Sequence, residues 1–272
     1  AGSSLRTLTR HTGVLVGGGL LLLLVLMALA APLLTAYDPI EIVPRMRLRG
    51  PSGEHLLGTD AAGRDVWARV AYGARISLLI GITAAVLALA AGTLIGLVSG
   101  YIRIVDGVLM RIMDGIMAIP GILLAIALVS LSGANLVTVI VAIFIPEIPR
   151  VARLVRSIVL SIREEPYVEA AIGLGTRTPK ILLRHILPNT MPALIVQGTY
   201  ICASAILFEA YLSFLGAGTP PDIPSWGNIM AEGRAYVQRA FWIILFPGAF
   251  LAATVLAVNL VGDGLRDLLK VR

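Results

Sequence analysis

A few stretches of this sequence have residue types that could do chemistry. "GLGTRTPK" at 173–180 is glycine-rich, like a loop that cradles phosphate. It lacks the G-K-[ST] ending that places a lysine on the phosphates and a hydroxyl on magnesium, and it follows no strand. His11, His55 and His185 stand far apart and make no H-E-x-x-H pair, so no metal site is expected. Cys202 is the only cysteine, which excludes an internal disulfide and a cysteine-based metal cluster. It lies in an apolar run, where a small buried hydrophobe is the default. "VSG" at 98–100 and "GDG" at 262–264 would serve an intramembrane enzyme only with a second group at matching depth, and none is visible. No catalytic residue is expected.

Two acids remain. Glu209, in "ILFEAYLSFLG", is the clearest acid inside an apolar stretch. A charge at mid-bilayer costs about 2.5–3.5 kcal/mol on insertion scales, so such a group is normally tied to something. It serves either a substrate path or subunit contact, or a structural hydrogen bond inside the bundle. Asp114, in "MRIMDGIMAIPG", falls near the cytoplasmic mouth, as a solvated span end or a pathway contact.

The elements that must carry these residues follow from composition. Of 272 residues, 57% are hydrophobic and only 14% are charged, against about 25% charged in soluble domains. Mean hydropathy is +0.89, and the expected class is an all-α, polytopic membrane protein. The net charge of +6 is explained by basic span ends. No basic groove with interleaved aromatics is present, so no nucleic-acid partner is expected. Six spans are read at about 13–34, 76–100, 115–131, 134–154, 191–216 and 240–261, since roughly 20 apolar residues cross the hydrocarbon core. Pro120 interrupts the third, and Pro146 and Pro149 break the fourth. Arg6 and Arg10 before an apolar run ending "ALAAP" are similar to a signal peptide. The run is longer than a usual h-region, so a retained anchor is expected. Inside segments hold 14 Lys and Arg and outside segments 8, which favours both termini in the cytoplasm. Gly92, Gly96 and Gly100 form a small-xxx-small row, read as tight packing within one bundle ahead of a subunit contact.

Two segments outside the spans are expected to form helices. In 35–75, Asp65 caps a short interfacial helix, "DVWARVAYG", that stops at Gly73. Val66, Trp67 and Val70 would lie toward the membrane boundary, with Arg64, Arg69 and Arg75 facing headgroups or partners. The second segment, "EEPYVEAAIGLGTRTPKILLRHILPN" at 164–189, is polar and basic between two apolar runs. Pro166 suits a first helical turn, and Gly175 a left-handed stop. Thr178 would cap a second helix, with Pro179 at its first position, and Pro188 would end it. Tyr167, Ala171 and Leu174 would share one face, leaving Arg177, Lys180 and Arg184 free. Helices this short are marginal alone, so the segment docks on another protein or lies on the membrane surface.

"EAAIGLG" followed by "HILP" resembles the EAA signature of permease subunits of ATP-binding cassette importers. Glu169, Ala170, Ala171, Gly175, Leu187 and Pro188 match it. His185 replaces the general isoleucine, and "RHILPN" is similar to the peptide and nickel branch. "HLLGTDAAGRDVWARVAYGARISLLIG", "LSFLGAGTPPDIPSWGNIM" and "NLVGDGLRD" resemble segments of the second, C-type permease of dipeptide, oligopeptide and nickel importers. Ala68 stands where that family often has serine. The resemblance implies the type I importer permease fold with six transmembrane helices, in a bacterial inner membrane. It implies a heterodimer with a sister permease, two cytoplasmic ATPase subunits that bind ATP and Mg, and an extracytoplasmic substrate-binding protein. Residues 164–189 would be the coupling segment, with Tyr167, Arg177, Arg184 and His185 beside the motif residues. Asp60, Arg64, Asp65, Trp67 and Trp226 would belong to the external face. Dipeptides, longer peptides, nickel complexes and opines all fit as substrates. The alternative is a secondary transporter or channel without an ATPase, which calls for paired mid-membrane charges and inverted repeats.

Overall fold

The computed structural model describes residues 12–270. Arg6, Arg10 and His11 lie outside them. The described residues form helices and no sheet. α1 spans Thr12–Leu29, and a one-turn α2 spans Ala31–Leu34. After an irregular segment comes α3, Val66–Tyr101. The end of the bundle that carries this segment is called outer, after the sequence expectation, and the opposite end inner. The Asp65 side chain caps it, accepting from the Ala68 amide at 2.7 Å. No proline interrupts its 36 residues, so it runs for about 54 Å at 1.5 Å per residue. That exceeds the ~30 Å hydrocarbon core.

The expected short interfacial helix is therefore the outer end of this span. Gly73 does not stop it, because the helix packs there against Ser225 and Trp226. Val66 and Val70 are buried rather than turned to the membrane boundary.

α4 (Arg103–Ala118) and α5 (Gly121–Ser132) meet at 87° across Pro120. α6 (Leu136–Phe144) starts at Asn135, whose side chain accepts from the Thr138 amide. Pro146 then forces a 3-10 turn, Ile145–Glu147, before α7 (Ile148–Ile162). α8 (Pro166–Gly173) and α9 (Thr178–Ile181) make the inner loop. A π turn at Leu182–Ile186 leads into α10 (Leu187–Phe214). Pro188 does not end the helix as expected. It sits in the first turn of α10, where its missing N–H costs little. α11 (Trp226–Gly233) and α12 (Trp242–Lys270) complete the order.

Among the described residues, four helical runs are long and apolar enough to cross a membrane: Thr12–Leu29, Val66–Tyr101, Thr178–Phe214 and Trp242–Leu269. The bent α4–α5 pair would make a fifth. The fourth span expected from sequence is a broken helix, α6 and α7, rather than one rod.

Close backbone approach holds the bundle together. A Cβ at Gly92, Gly96 or Gly100 would stand 2.5, 2.6 or 2.7 Å from the Cβ of Val151, Val155 or Val159. The glycine row is thus spent on α7 of the same chain, in four-residue register. α1 packs on α12, where a Cβ at Gly17 would meet Leu260 at 2.7 Å. α10 crosses α3 at Gly81, against Ile206. One apolar cluster at the outer end centres on Trp226 and Trp242, and a second at the inner end joins Leu97, Val159, Val168, Ile181 and Ile186.

Candidate functional site

The inner loop has one buried and one exposed face. Val168 and Ala171 of α8 are buried, together with Ile181 and Ile186. The expected apolar stripe is corrected accordingly. Tyr167 is largely exposed and Leu174 is 86% exposed, while Val168 takes the inward place. Ala170, Ile172, Leu174 and Leu183 are exposed apolar residues of this loop, and Arg177, Lys180 and Arg184 are exposed as well.

α8 ends as the sequence predicts. Gly175 has φ +73°, the Thr176 amide donates to the Ala171 carbonyl at 3.0 Å, and the Gly175 amide donates to Ile172 at 2.9 Å. This is the Schellman pattern, which glycine serves best. Arg177, rather than Thr178, stands at the N-cap position of α9 and makes no side-chain cap there, and Pro179 falls at the second position of the helix.

The loop is tied to α10. Asn189 Nδ2 donates to the Tyr167 hydroxyl at 3.1 Å and to the His185 carbonyl at 2.7 Å, and the Tyr167 and His185 rings lie 6.5 Å apart. Leu187 is half-buried and Pro188 exposed at the start of that span. Glu169 is exposed on a cleft lined also by Tyr101, Arg103, Arg163 and Glu164.

At the outer end, Asp60 and Arg64 share one network, while Asp65, Trp67 and Trp226 each find other partners within the chain. Arg69 is fully buried, with Nη1 donating at 2.6 Å to both Asp60 Oδ2 and Glu232 Oε2. Arg64 Nε donates to Asp60 at 2.7 Å, and its Nη2 also reaches Glu232. Burial works against ionisation of Asp60, but Arg69 and Arg64 outweigh it and hold the carboxyl below its usual range. His55 Nδ1 lies 2.8 Å from Asp65. Arg75 is turned to the Ala28 and Leu29 carbonyls that end α1.

Trp226 is fully buried, with Nε1 donating to the Val70 carbonyl at 3.1 Å. Trp67 is half-buried and donates to the Leu34 carbonyl. Arg64 and Arg69 are thus committed to partners inside the chain, and so cannot serve headgroups as expected.

Glu209 is also fully buried, five residues before the outer end of α10 rather than at mid-span. Its Oε1 accepts from Ser213 and Ser225, both at 2.7 Å, and from Thr219 at 3.4 Å. Ser225 in turn caps α11, accepting from the Asn228 amide. Asn228 joins the two outer networks, since its Oδ1 accepts from Arg69 Nη2 at 3.4 Å. A Cβ at Gly227 would stand 2.5 Å from the Ala210 Cα. Glu232, Ser213, Thr219, Ser225, Asn228 and Gly227 are the members that sequence reasoning missed. Their only signal is that all but Glu232 fall in the long "LSFLGAGTPPDIPSWGNIM" stretch. Asp114 is exposed, and its Oδ1 accepts from Arg153 Nη2 at 2.5 Å.

The described residues form a bundle whose long helices are apolar enough to cross a membrane, with an inner loop buried on one face and exposed on the other. The family described as the binding-protein-dependent transport system inner membrane component matches residues 89–272, and the N-terminal TM domain of oligopeptide transport permease C matches residues 2–51. The chain belongs to this family of ABC importer permeases, in which ATPase activity lies in separate subunits.

Among its relatives, the probable peptide ABC transporter permease protein y4tQ of Sinorhizobium fredii is 56% identical, over 98% of this chain and 91% of the relative. The dipeptide transport system permease protein DppC of Alkalihalophilus pseudofirmus is 46% identical, over 90% and 81%. The oligopeptide transport system permease protein OppC of Bacillus subtilis is 39% identical, over 94% and 84%. An inward-facing structure of the MetNI methionine ABC transporter shares the fold, with TM-score 0.55 and 20% identity over 75% of this chain and 94% of that one.

Proposed function

We propose that this chain forms half of a translocation pathway for peptides and couples it to ATP hydrolysis through residues 164–189. The other half is a homologous sister permease, and substrate arrives on an extracytoplasmic binding protein. Two cytoplasmic ATPase subunits bind ATP and Mg, and both termini of this chain face them. The observation that carries the peptide reading is the 56% identity to a relative named as a peptide permease. The coupling reading is supported by the exposed apolar and basic surface of α8 and α9 on a loop whose other face is buried in the bundle.

The arrangement acts as a rigid lever. Val168, Ile181 and Ile186 fix the loop to α3 and α7, and the Tyr167–Asn189 bond fixes it to α10. A push on Ala170, Ile172 and Leu174 therefore moves three spans together, which alternation between inward-open and outward-open states needs. Reconstitution of the complete complex tests this. Peptide uptake should require ATP, both permeases and the binding protein. Uptake by this chain without the ATPase subunits would overturn the reading in favour of a secondary transporter.

A further inference from the structure

α7 is two-sided in a way that packing inside this chain does not explain. Its buried stripe is Val151, Val155 and Val159, seated on the glycine row of α3. Its exposed stripe is Arg150, Arg153, Ser157 and Ser161, at offsets of 3, 7 and 11 along the helix. A membrane helix whose free face is two arginines and two serines does not turn that face to lipid.

The position along the broken helix pair is also informative. α6 and α7 together run from residue 136 to 162, about 40 Å at 1.5 Å per residue. Arg150 falls halfway along, just after the break at Pro146, and the serines continue toward the inner loop. Broken helices at mid-membrane are where irregular backbone meets a water-lined cavity.

The side chains around the break fit that setting. Arg150 Nη1 donates to Glu147 at 2.7 Å, with the arginine side chain 49% exposed. Its guanidinium lies 5.8 Å from the ring centroid of Tyr200 on α10, which is itself half exposed. One turn further in, Arg153 is 47% exposed and holds Asp114 of α4. Both guanidiniums are thus satisfied by carboxylates of this chain that remain open on one side. A passing carboxylate finds two cations in series, each able to exchange one carboxylate partner for another.

We propose that the Arg150–Arg153–Ser157–Ser161 stripe is this chain's aqueous wall of the translocation pathway, and that Arg150 and Arg153 receive the carboxylate end of a zwitterionic peptide. The inference rests on the permease reading above and goes beyond it by assigning the wall and its charge.

The test uses the assembled complex in proteoliposomes, on a Cys202→Ala background, with single cysteines at Ser157 and Ser161 and, as a lipid-side control, at the exposed Leu23 of α1. Membrane-impermeant methanethiosulfonates, one anionic and one cationic, are applied from the ATPase side without nucleotide. Both serine positions should react and Leu23 should not. The anionic-to-cationic rate ratio at Ser157 should fall severalfold with Arg153→Gln, and Arg153→Lys should restore it. No reaction at either serine, in nucleotide-free or ATP-bound complex that still transports, would mean that the stripe is sealed against the sister permease and would overturn the assignment. An unchanged rate ratio in Arg153→Gln would overturn the carboxylate role. Loss of ATP-dependent uptake in the unmodified complex would instead remove the permease reading on which the assignment stands.

Discussion

Gly96 of α3 lies directly against Val155 of α7, so close that a single added Cβ would meet the valine Cβ at 2.6 Å and the Ala152 carbonyl oxygen at the same distance. Backbone cannot yield as a flexible side chain can, so the two helices must separate to admit any larger residue. Gly96→Leu should therefore destabilise the chain by about 1–3 kcal/mol, the usual cost of overpacking. Gly19→Ala, on α1 with nothing within 4 Å of the added atom, should cost nothing measurable. Thermal stability of the purified complex, followed by fluorescence size exclusion, compares the two. Equal stability would mean that the α3–α7 contact is looser than its geometry.

A second relationship is electrostatic. Arg69 joins two acids, Asp60 and Glu232, from segments far apart in the chain. Arg69→Met leaves Asp60 buried with one cation fewer, and breaking such a pair costs about 3–5 kcal/mol. The pH dependence follows from Asp60, whose pKa is lowered below 3.8. A depressed carboxylate contributes stability that is fully present above its unfolded value and is lost as pH falls through the folded value. Wild type should therefore be more stable than Asp60→Asn at neutral pH, and the gap should close as pH drops below 3.8. Melting temperatures of both proteins across that range test it, and a constant gap would exclude Asp60 as the titrating group.

Glu209 makes its hydrogen bonds through one oxygen, which collects three hydroxyls. An amide oxygen accepts as well as a carboxylate oxygen does, though without charge assistance. Glu209→Gln should assemble and transport nearly as wild type. Glu209→Leu strands the Ser213 and Ser225 hydroxyls in a dry site, while Thr219 can still donate to Ser225 Oγ at 3.1 Å, and it should cost about 1–3 kcal/mol for each donor left unpaired. Yield of assembled complex and uptake per complex separate the outcomes. Lost uptake at normal assembly in Glu209→Gln would assign the charge to the pathway.

The contrast between expected and observed features follows a physical divide. Pro120, Pro146 and Gly175 act through the local backbone, and each alters the helix where the sequence places it. Asp65 likewise caps α3 from its own first turn. Gly73 and Pro188 carry the same local signals, yet the helix runs past the first, and the second sits within the helical run that becomes α10. Packing on α11 and the π turn override them. The outer ion network was illegible because Glu232 meets Arg69 across 163 residues, a pairing no window of sequence contains. Its arginines therefore read as surface cations. The polar stripe of α7 is hidden differently, since Arg150 and Arg153 fall at the end of the expected span 134–154, and only the break at Pro146 makes them the start of a separate helix.

The coupling loop supports the sharpest prediction. Gly175 has φ +73° and open space around it, so a side chain there meets no atom and only the backbone is strained. A β-branched residue in that region costs about 1–2 kcal/mol, which α8 relieves by unwinding its last turn. Gly175→Val should then tilt Leu174 and Ile172 out of position while Val168 and Ala171 stay buried. Ala170→Asp acts without strain, placing a charge on the exposed apolar surface that the ATPase would cover. Both variants should insert and pair with the sister permease normally. Both should lower binding-protein-stimulated ATPase activity and peptide uptake, Ala170→Asp by weaker retention of the ATPase subunits and Gly175→Val by hydrolysis that no longer tracks uptake. Arg266→Ala, exposed on α12 and not part of the loop, should change neither. The measurement is uptake and hydrolysis in the same reconstituted complexes, with ATPase retention read by co-purification. If both loop variants matched wild type in all three, residues 164–189 would not be the joint, and the exposed face of α8 would need another partner.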